Sequence, residues 1–405
     1  MSASALPALP SVKKLSEYVT RILGQNPGKF TLQGTNTYLV HHPTSPSLIL
    51  LDTAQGLPAY LPHLRSSVKS HPVQPARVTD ILLSHWHHDH VDGLDSVLEE
   101  LDRIGAVDET DGVRVWKFPA TGGEEDKNKV VERRLERVTE NVVQRVVGDE
   151  VIEGGRRVRA LRDGQTFRLG RGVDDGVELE VVHTPGHTTD AISLVLRTRD
   201  PSRASPDSKR RVEGLFSFDT VLGHGTAVFN DLTTYLSSLT RLILLVGDRN
   251  RPSGSTDPSV PSGSRAEPSS AEAHVPIFPG HGEVIEDGLA KLREYKRHRL
   301  EREQQVVDAL AKVSKPTSAI SLTRSIYGTT IPESLVPAAT RGLLLHLSKL
   351  EHDGKVDRIR GGATRGVDGT GADEETGREE VDWDKLGVSE KDVPEHWDAR
   401  WRLVA

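Results

Sequence analysis

The chain predicts an α/β fold in which short apolar strands end in turns that carry histidine or aspartate. Three observations lead there. The apolar run Asp80-Ile81-Leu82-Leu83-Ser84 reads as a buried strand and is followed at once by His85-Trp86-His87-His88-Asp89-His90. The runs over 177–182, 215–218 and 275–278 end the same way, in His183-Thr184-Pro185-Gly186-His187-Thr188, in Asp219 and in Pro279-Gly280-His281-Gly282. Between and after these runs, stretches such as 128–147 and 285–313 place apolar residues at helical spacing.

In chain order, residues 1–14 lack a sustained hydrophobic stretch and are expected to be flexible. The clearest strands are 36–40, 48–52, 78–84, 178–183, 192–196 and 215–219. Residues 128–147 predict a surface helix, and 199–211 an exposed loop between two strands. Residues 248–273 are rich in Ser, Pro and Gly and poor in large apolar side chains, so they predict a disordered insertion. A main domain over 15–290 is followed by a second one over 291–360. The latter is a long charged helix (285–313), helices at 318–327 and 333–351, and a polar turn before Lys355-Val356. The second of these helices has an apolar face of Leu343, Leu344, Leu347 and Leu350 with few cations. A Gly-rich tail over 361–405, containing Trp383, Trp397 and Trp401, is expected to be flexible.

Composition narrows the function classes. The 405 residues contain no cysteine, which excludes disulfides and thiolate ligands and leaves His and Asp to hold any metal. No apolar run approaches the ~18 residues that would span a membrane. The first fourteen residues do not read as a secretory signal, so the cytosol is the expected compartment. Twelve Asp and Glu against six Lys and Arg give the tail a net −6, out of −7 for the whole chain. The nearly neutral remainder offers little general attraction to phosphate backbones. The basic clusters at 156–159 and 209–211 read as solvated loops.

Four metal-ligand side chains within six residues are the strongest chemical signal. Imidazole with carboxylate suits zinc and other borderline divalent ions. One His-x-His pair would mean little. Four strand ends that carry His or Asp assign them to one site.

The order HWHHDH, HTPGHT, an Asp after an apolar strand, then PGHG resembles the metallo-β-lactamase superfamily. The flanks QNPGKFTLQGTNTYLV (25–40) and LGHGTAVFNDL (222–232) resemble its lactamase-like subgroup, which holds an animal mitochondrial endoribonuclease and the fungal atrochrysone carboxyl ACP thioesterases. The likeness spans roughly 15–355. It implies a four-layer αββα sandwich with a small C-terminal winged-helix-like domain, and two zinc ions, although manganese or iron suits the same ligands. By that pattern His85, His87 and His187 hold one ion, Asp89, His90 and His281 the other, and Asp219 bridges them. Ions about 3.5–4 Å apart share a hydroxide that attacks carbonyl or phosphorus. Asp89 orients the nucleophile and passes a proton to the leaving group. The pattern needs neither His88 nor His183.

Three positions depart from the family. Phe218 and Ala54 stand where it has Gly, and Asp92 lies in its Gly-rich turn. Gly at such places signals positive φ or a close backbone approach, so Phe218 is the residue most able to displace a ligand. The favoured function is a thioesterase that releases a polyketide acid from the acyl carrier protein of a non-reducing polyketide synthase, in fungal secondary metabolism. The alternatives are an endoribonuclease acting on single-stranded RNA and a non-catalytic metal-binding protein.

Overall fold

Alternation along single strands explains the layering. In Ser47–Leu51 (β4), Leu48 and Leu50 join one hydrophobic core while Ile49 and Leu51 join another. In Asn36–His41 (β3), Leu39 faces the first core, and Tyr38 and Val40 face the second. Each strand is therefore buried on both faces, with helices on one side and a second sheet on the other.

The computed structural model describes residues 6–107, 111–138, 142, 146–147, 157–170, 177–198, 211–247, 274–328, 331–359 and 399–404. They form two units, 1–295 and 296–405. In the first, Val12–Lys14 (β1), Val19–Leu23 (β2), β3, β4, Arg77–Leu83 (β5), Arg114–Lys117 (β6) and Arg159–Ala160 (β7) form a seven-stranded sheet in that order. β1 to β4 pair antiparallel, and β4 to β7 parallel. Leu61–Lys69 (α1), Leu94–Arg103 (α3) and Lys129–Leu135 (α4) cover its first face through Leu64, Val68, Val97, Leu101 and Val131. His88–Val91 (α2) is a single turn after β5.

Thr166–Leu169 (β8), Val177–His183 (β9), Ile192–Thr198 (β10), Arg211–Phe218 (β11) and Ile277–Pro279 (β12) form the second sheet, ordered β12-β11-β10-β9-β8. Its Leu179, Val181, Leu194, Phe216 and Phe278 meet Tyr38, Ile49 and Leu82 of the first. Val182, Val195 and Leu215 alternate out of that core and are also buried, so this sheet too is covered on both faces. Leu232–Gly247 (α5) is fixed to it by Ser238 Oγ donating to the Pro185 carbonyl and Tyr235 OH to that of Thr220. This is the expected αββα arrangement.

In the second unit, Val306 and Leu310 of Gly288–Ala311 (α6) pack with Leu322 of Ala319–Tyr327 (α7) and with Leu343, Leu347 and Leu350 of Val336–His352 (α8). Thr317–Ser318 (β13), Val356–Ile359 (β14) and Arg400–Leu403 (β15) form a small sheet ordered β13-β15-β14. The apolar face of α8 is thus spent on its own core.

Two boundaries need correcting. The end of the tail, expected to be flexible, forms β15, because Trp401 is buried and its backbone pairs with Thr317 and Arg358. Residues 12–14 likewise pair with β2. The helix expected over 128–147 is seen as α4 at its start, and part of the remainder lies outside the described residues. The loop at 199–210, the insertion at 248–273 and the tail at 361–398, with Trp383 and Trp397, also lie outside them.

Candidate metal centre

All seven expected side chains come together at one end of the two sheets. His85 and His87 follow β5, and Asp89 and His90 lie on α2. His187 sits in the loop between β9 and β10, Asp219 follows β11, and His281 follows β12. They fall into two clusters: His85, His87, His187 and Asp219, then Asp89, His90 and His281. In the first, the His87 Nδ1 lies 2.9 Å from His85 Nε2 and 3.0 Å from His187 Nε2. Asp219 turns one oxygen to each cluster. Its Oδ2 is 3.6 Å from His187 Nε2, and its Oδ1 is 3.4 Å from both His90 Nε2 and His281 Nε2. Asp89 Oδ2 lies 3.2 Å from His281 Nε2 and 3.4 Å from His90 Nε2.

The hydrogen bonds behind the imidazoles determine which nitrogen is free. His187 Nδ1 donates to the Val228 carbonyl at 2.7 Å, so its Nε2 presents a lone pair. His90 Nδ1 donates to Asp52 Oδ2 at 2.7 Å, which turns its Nε2 toward the second cluster. Ser84 Oγ also donates to Asp52 Oδ2, at 2.8 Å, and so can accept from His85 Nδ1 at 3.0 Å. Asp52 is fully buried and takes a third bond, on Oδ1, from the Ser84 N–H. One carboxylate thereby orients a histidine in each cluster. His281 has no such partner on Nδ1. Its loop is held instead by Asn36, whose amide donates to the Pro279 and Gly282 carbonyls, and by Tyr38 OH on Pro279. Thr35 Oγ1 donates to Asp89 Oδ2, and Asn26 holds Thr35 in turn. The loop bearing His187 is tied down by a buried ion pair between Lys117 and Asp190.

Glycines make room for this arrangement. A Cβ at Gly280 would overlap Asp219 Oδ1, and one at Gly186, at φ +134°, would strike the Tyr235 backbone. Phe218 and Ala54, where the family has Gly, do adopt positive φ, 45° and 57°. Phe218 nevertheless does not displace Asp219. Its ring is buried in the inter-sheet core, and its carbonyl accepts from Gly280 N–H at 2.9 Å. Asp92, with φ −69°, carries no such strain.

The donor set fits divalent metal ions. Burial and the neighbouring His90, His87 and His187 hold His85 far below its ordinary pKa, and burial with His187 lowers His87 to about 3. Both are neutral ligands at neutral pH. In the second cluster burial alone would lower the imidazoles, but carboxylates outweigh it. Asp89, Asp219 and Asp52 raise His90 well above its usual value, and Asp219 lifts His281 to about 9. Burial would raise Asp219 and Asp89, yet His281 and His90 hold the first far below the carboxylate range, and His90 with His281 the second. His90 Nε2 and Asp219 Oδ1 are buried without a hydrogen-bond partner, a costly state that a cation between them relieves.

His88 is exposed, and His183 stacks on Phe118 and bonds the Thr189 carbonyl. Neither joins a cluster. Asp52, Ser84 and Thr35 are the supporting residues that sequence reasoning missed. The one signal for Asp52 was its place at the end of an apolar strand.

Residues 30–200 match the metallo-β-lactamase superfamily, and 318–364 the β-lactamase associated winged helix domain. A β-lactamase-like protein 2 homolog of Drosophila melanogaster is 33% identical over 351 residues, 86% of this chain and 92% of that protein. An atrochrysone carboxyl ACP thioesterase of Aspergillus chevalieri is 29% identical over 370 residues, 89% of this chain and 90% of that protein. The structure of a β-lactamase domain protein from Burkholderia ambifaria aligns with a TM-score of 0.58 at 17% identity, covering 99% of this chain and 96% of that one. That likeness concerns the fold alone. The 33% identity to the fly protein over nearly the full length of both, with a superfamily match that spans five of the seven clustered ligands, makes this chain a metallo-β-lactamase-fold hydrolase with a C-terminal β-lactamase associated winged helix domain.

Proposed function

We propose that the chain is a thioesterase that hydrolyses an acyl group, of polyketide type, from the phosphopantetheine thiol of an acyl carrier protein, using two zinc ions. The observation that carries the metal assignment is Asp219, whose two oxygens face the two ligand clusters. Ions bound there would acidify a water and polarise the thioester carbonyl. His85, His87 and His187 would hold one ion, and Asp89, His90 and His281 the other. Thr35 fixes Asp89 through Oδ2, which leaves Oδ1 to take a proton from the attacking water. The carbonyl carbon gains the water oxygen, the C–S bond breaks, and the proton passes from Asp89 to the departing thiolate.

The surroundings favour a carbonyl over a phosphodiester. Val228, whose carbonyl orients His187, leaves its side chain 60% exposed and gives the site an apolar rim. On the side of Trp86, the neighbouring Glu124, Glu125 and Asp126 outnumber Lys127, which pairs with Asp126. An RNA substrate would call for net positive charge there. The thioesterase named among the relatives supports the same reading. Among the described residues no helix is long and apolar enough to cross a membrane.

The test is release of free thiol from an acyl-loaded carrier protein by the metal-loaded chain, with single-stranded RNA assayed in parallel. Thiol release that falls at least about a hundredfold in Asp89→Asn supports the proposal. RNA cleavage without thiol release overturns it.

A further inference from the structure

At the opposite end of β3 from Asn36, a cavity of about 190 Å³ lies between the first sheet and the end of α1. Its floor includes Lys14 on β1 and His41 on β3, and its roof includes Ser66, Ser67, Ser70 and His71. The five steps from Asn36 to His41 place it roughly 17 Å along the strand from the metal-ligand end. The catalytic account does not use it.

The lining is half polar and half apolar, and its formal charge has one sign. None of its residues is Asp or Glu. His41 and His71 are 7% and 6% exposed, with ring centroids 5.0 Å apart. Each leaves a buried ring nitrogen, His41 Nδ1 and His71 Nε2, without a hydrogen-bond partner. Two such orphans beside a lysine in one small cavity are unusual, since buried polar atoms are nearly always satisfied. Burial first, and then the neighbouring His71, Lys14 and His42, hold His41 down to about 4. The carbonyls at the end of α1, which would repel an anion, are occupied: Gln74 Nε2 donates to those of Val68, Lys69 and His71. A metal ion fits poorly, because a lysine lines the cavity and no acidic ligand does.

We propose that this cavity binds a tetrahedral oxyanion, either inorganic phosphate or the phosphate end of a small phosphomonoester, independently of the hydrolytic site. The Lys14 ammonium, the Ser66 hydroxyl and the imidazole N–H groups are its donors, and its size excludes a nucleotide.

The imidazole NMR signals of His41 and His71 in the metal-loaded full chain report on this cavity alone, which separates it from phosphate bound at the metal centre. Titration with inorganic phosphate should move both signals saturably. Lys14→Ala, at an exposed strand residue, should weaken binding about tenfold and leave hydrolysis unchanged. Ser66→Ala gives a second, milder variant should Lys14→Ala fold poorly. Tighter binding of glycerol phosphate than of phosphate would identify a phosphomonoester as occupant, and the reverse the free ion. Either supports the proposal. Signals that stay still, that respond equally in both variants and wild type, or that move with Zn2+ instead overturn it.

Discussion

Replacing Asp52 by Asn tests whether a residue that touches no metal governs both ligand clusters. Asn tolerates the left-handed backbone that Asp52 adopts, φ 59°, so the substitution leaves the turn unstrained. The carboxylate takes three donors: Ser84 N–H at 2.7 Å on Oδ1, then Ser84 OH at 2.8 Å and His90 Nδ1–H at 2.7 Å on Oδ2. An amide has only one oxygen, so its NH2 must face either the Ser84 N–H or the pair on the other side. In the first case two donors collide. In the second His90 loses the bond that fixes its tautomer, and Ser84 loses the one that makes it an acceptor for His85. The loss of one charge-assisted bond, about 1.5–3 kcal/mol, corresponds to a fall of roughly ten- to a hundredfold in metal affinity. Competition with a chromophoric chelator measures that fall, and circular dichroism confirms that the variant is folded. Ser84→Ala separates the two routes: it leaves the Asp52–His90 bond and should weaken chiefly the ion held by His85. Metal affinities in Asp52→Asn equal to wild type, in a folded protein, would refute the relay.

Three further outcomes follow from the geometry. Metal-free protein at pH 7 keeps His281 protonated, because its folded pKa of about 9 lies above the unfolded value, and the raised His90 adds to it. Metal binding should release at least one proton there and progressively fewer as pH rises through about 9, which calorimetry in buffers of different ionisation enthalpy detects; heats independent of buffer at pH 7 would contradict it. His346 is 2% exposed, and burial followed by Arg299 and Arg302 lowers it to about 3. The unfolded chain, titrating near 6.5, then binds the extra proton, so this histidine costs about 2 kcal/mol of stability on going from pH 7 to pH 5. A His346→Gln variant whose urea unfolding retains the full acid slope would argue against that assignment. Phe218→Gly relieves a φ of 45° but empties a fully buried core position, and core loss of about 3–5 kcal/mol exceeds relief of about 1–2. The variant should melt lower while keeping its metal, and a higher melting temperature would reverse the ranking of the two effects.

Much of this molecule was legible in the sequence because strands buried on both faces read as apolar runs. Expected strands at 36–40, 48–52, 78–84, 178–183 and 192–196 match β3, β4, β5, β9 and β10 to within two residues at each end. The long charged helix at 285–313 corresponds to α6. β2 escaped because Arg21, fully buried, interrupts its apolar run. β15 escaped because Arg-Trp-Arg-Leu within an acidic tail has no period of its own, and its partners lie 41 to 84 residues away. The seven clustered residues were readable because each lies within a few residues past the end of an apolar strand. Asp52 was not, since its role depends on Ser84 and His90, 32 and 38 residues away, and no local pattern announces such a pairing. The glycine replacements were a truer guide. They marked Phe218 and Ala54 as positive-φ positions, although the displaced ligand inferred from Phe218 does not occur, because that side chain turns into the core.

The central claim is that Asp219 joins two metal positions, and anomalous diffraction at the zinc edge from crystals of the zinc-loaded chain tests it most directly. The account predicts two peaks, one among His85, His87 and His187 and one among Asp89, His90 and His281, with a different Asp219 oxygen facing each. A single peak, or two peaks with Asp219 turned away from either, would contradict it.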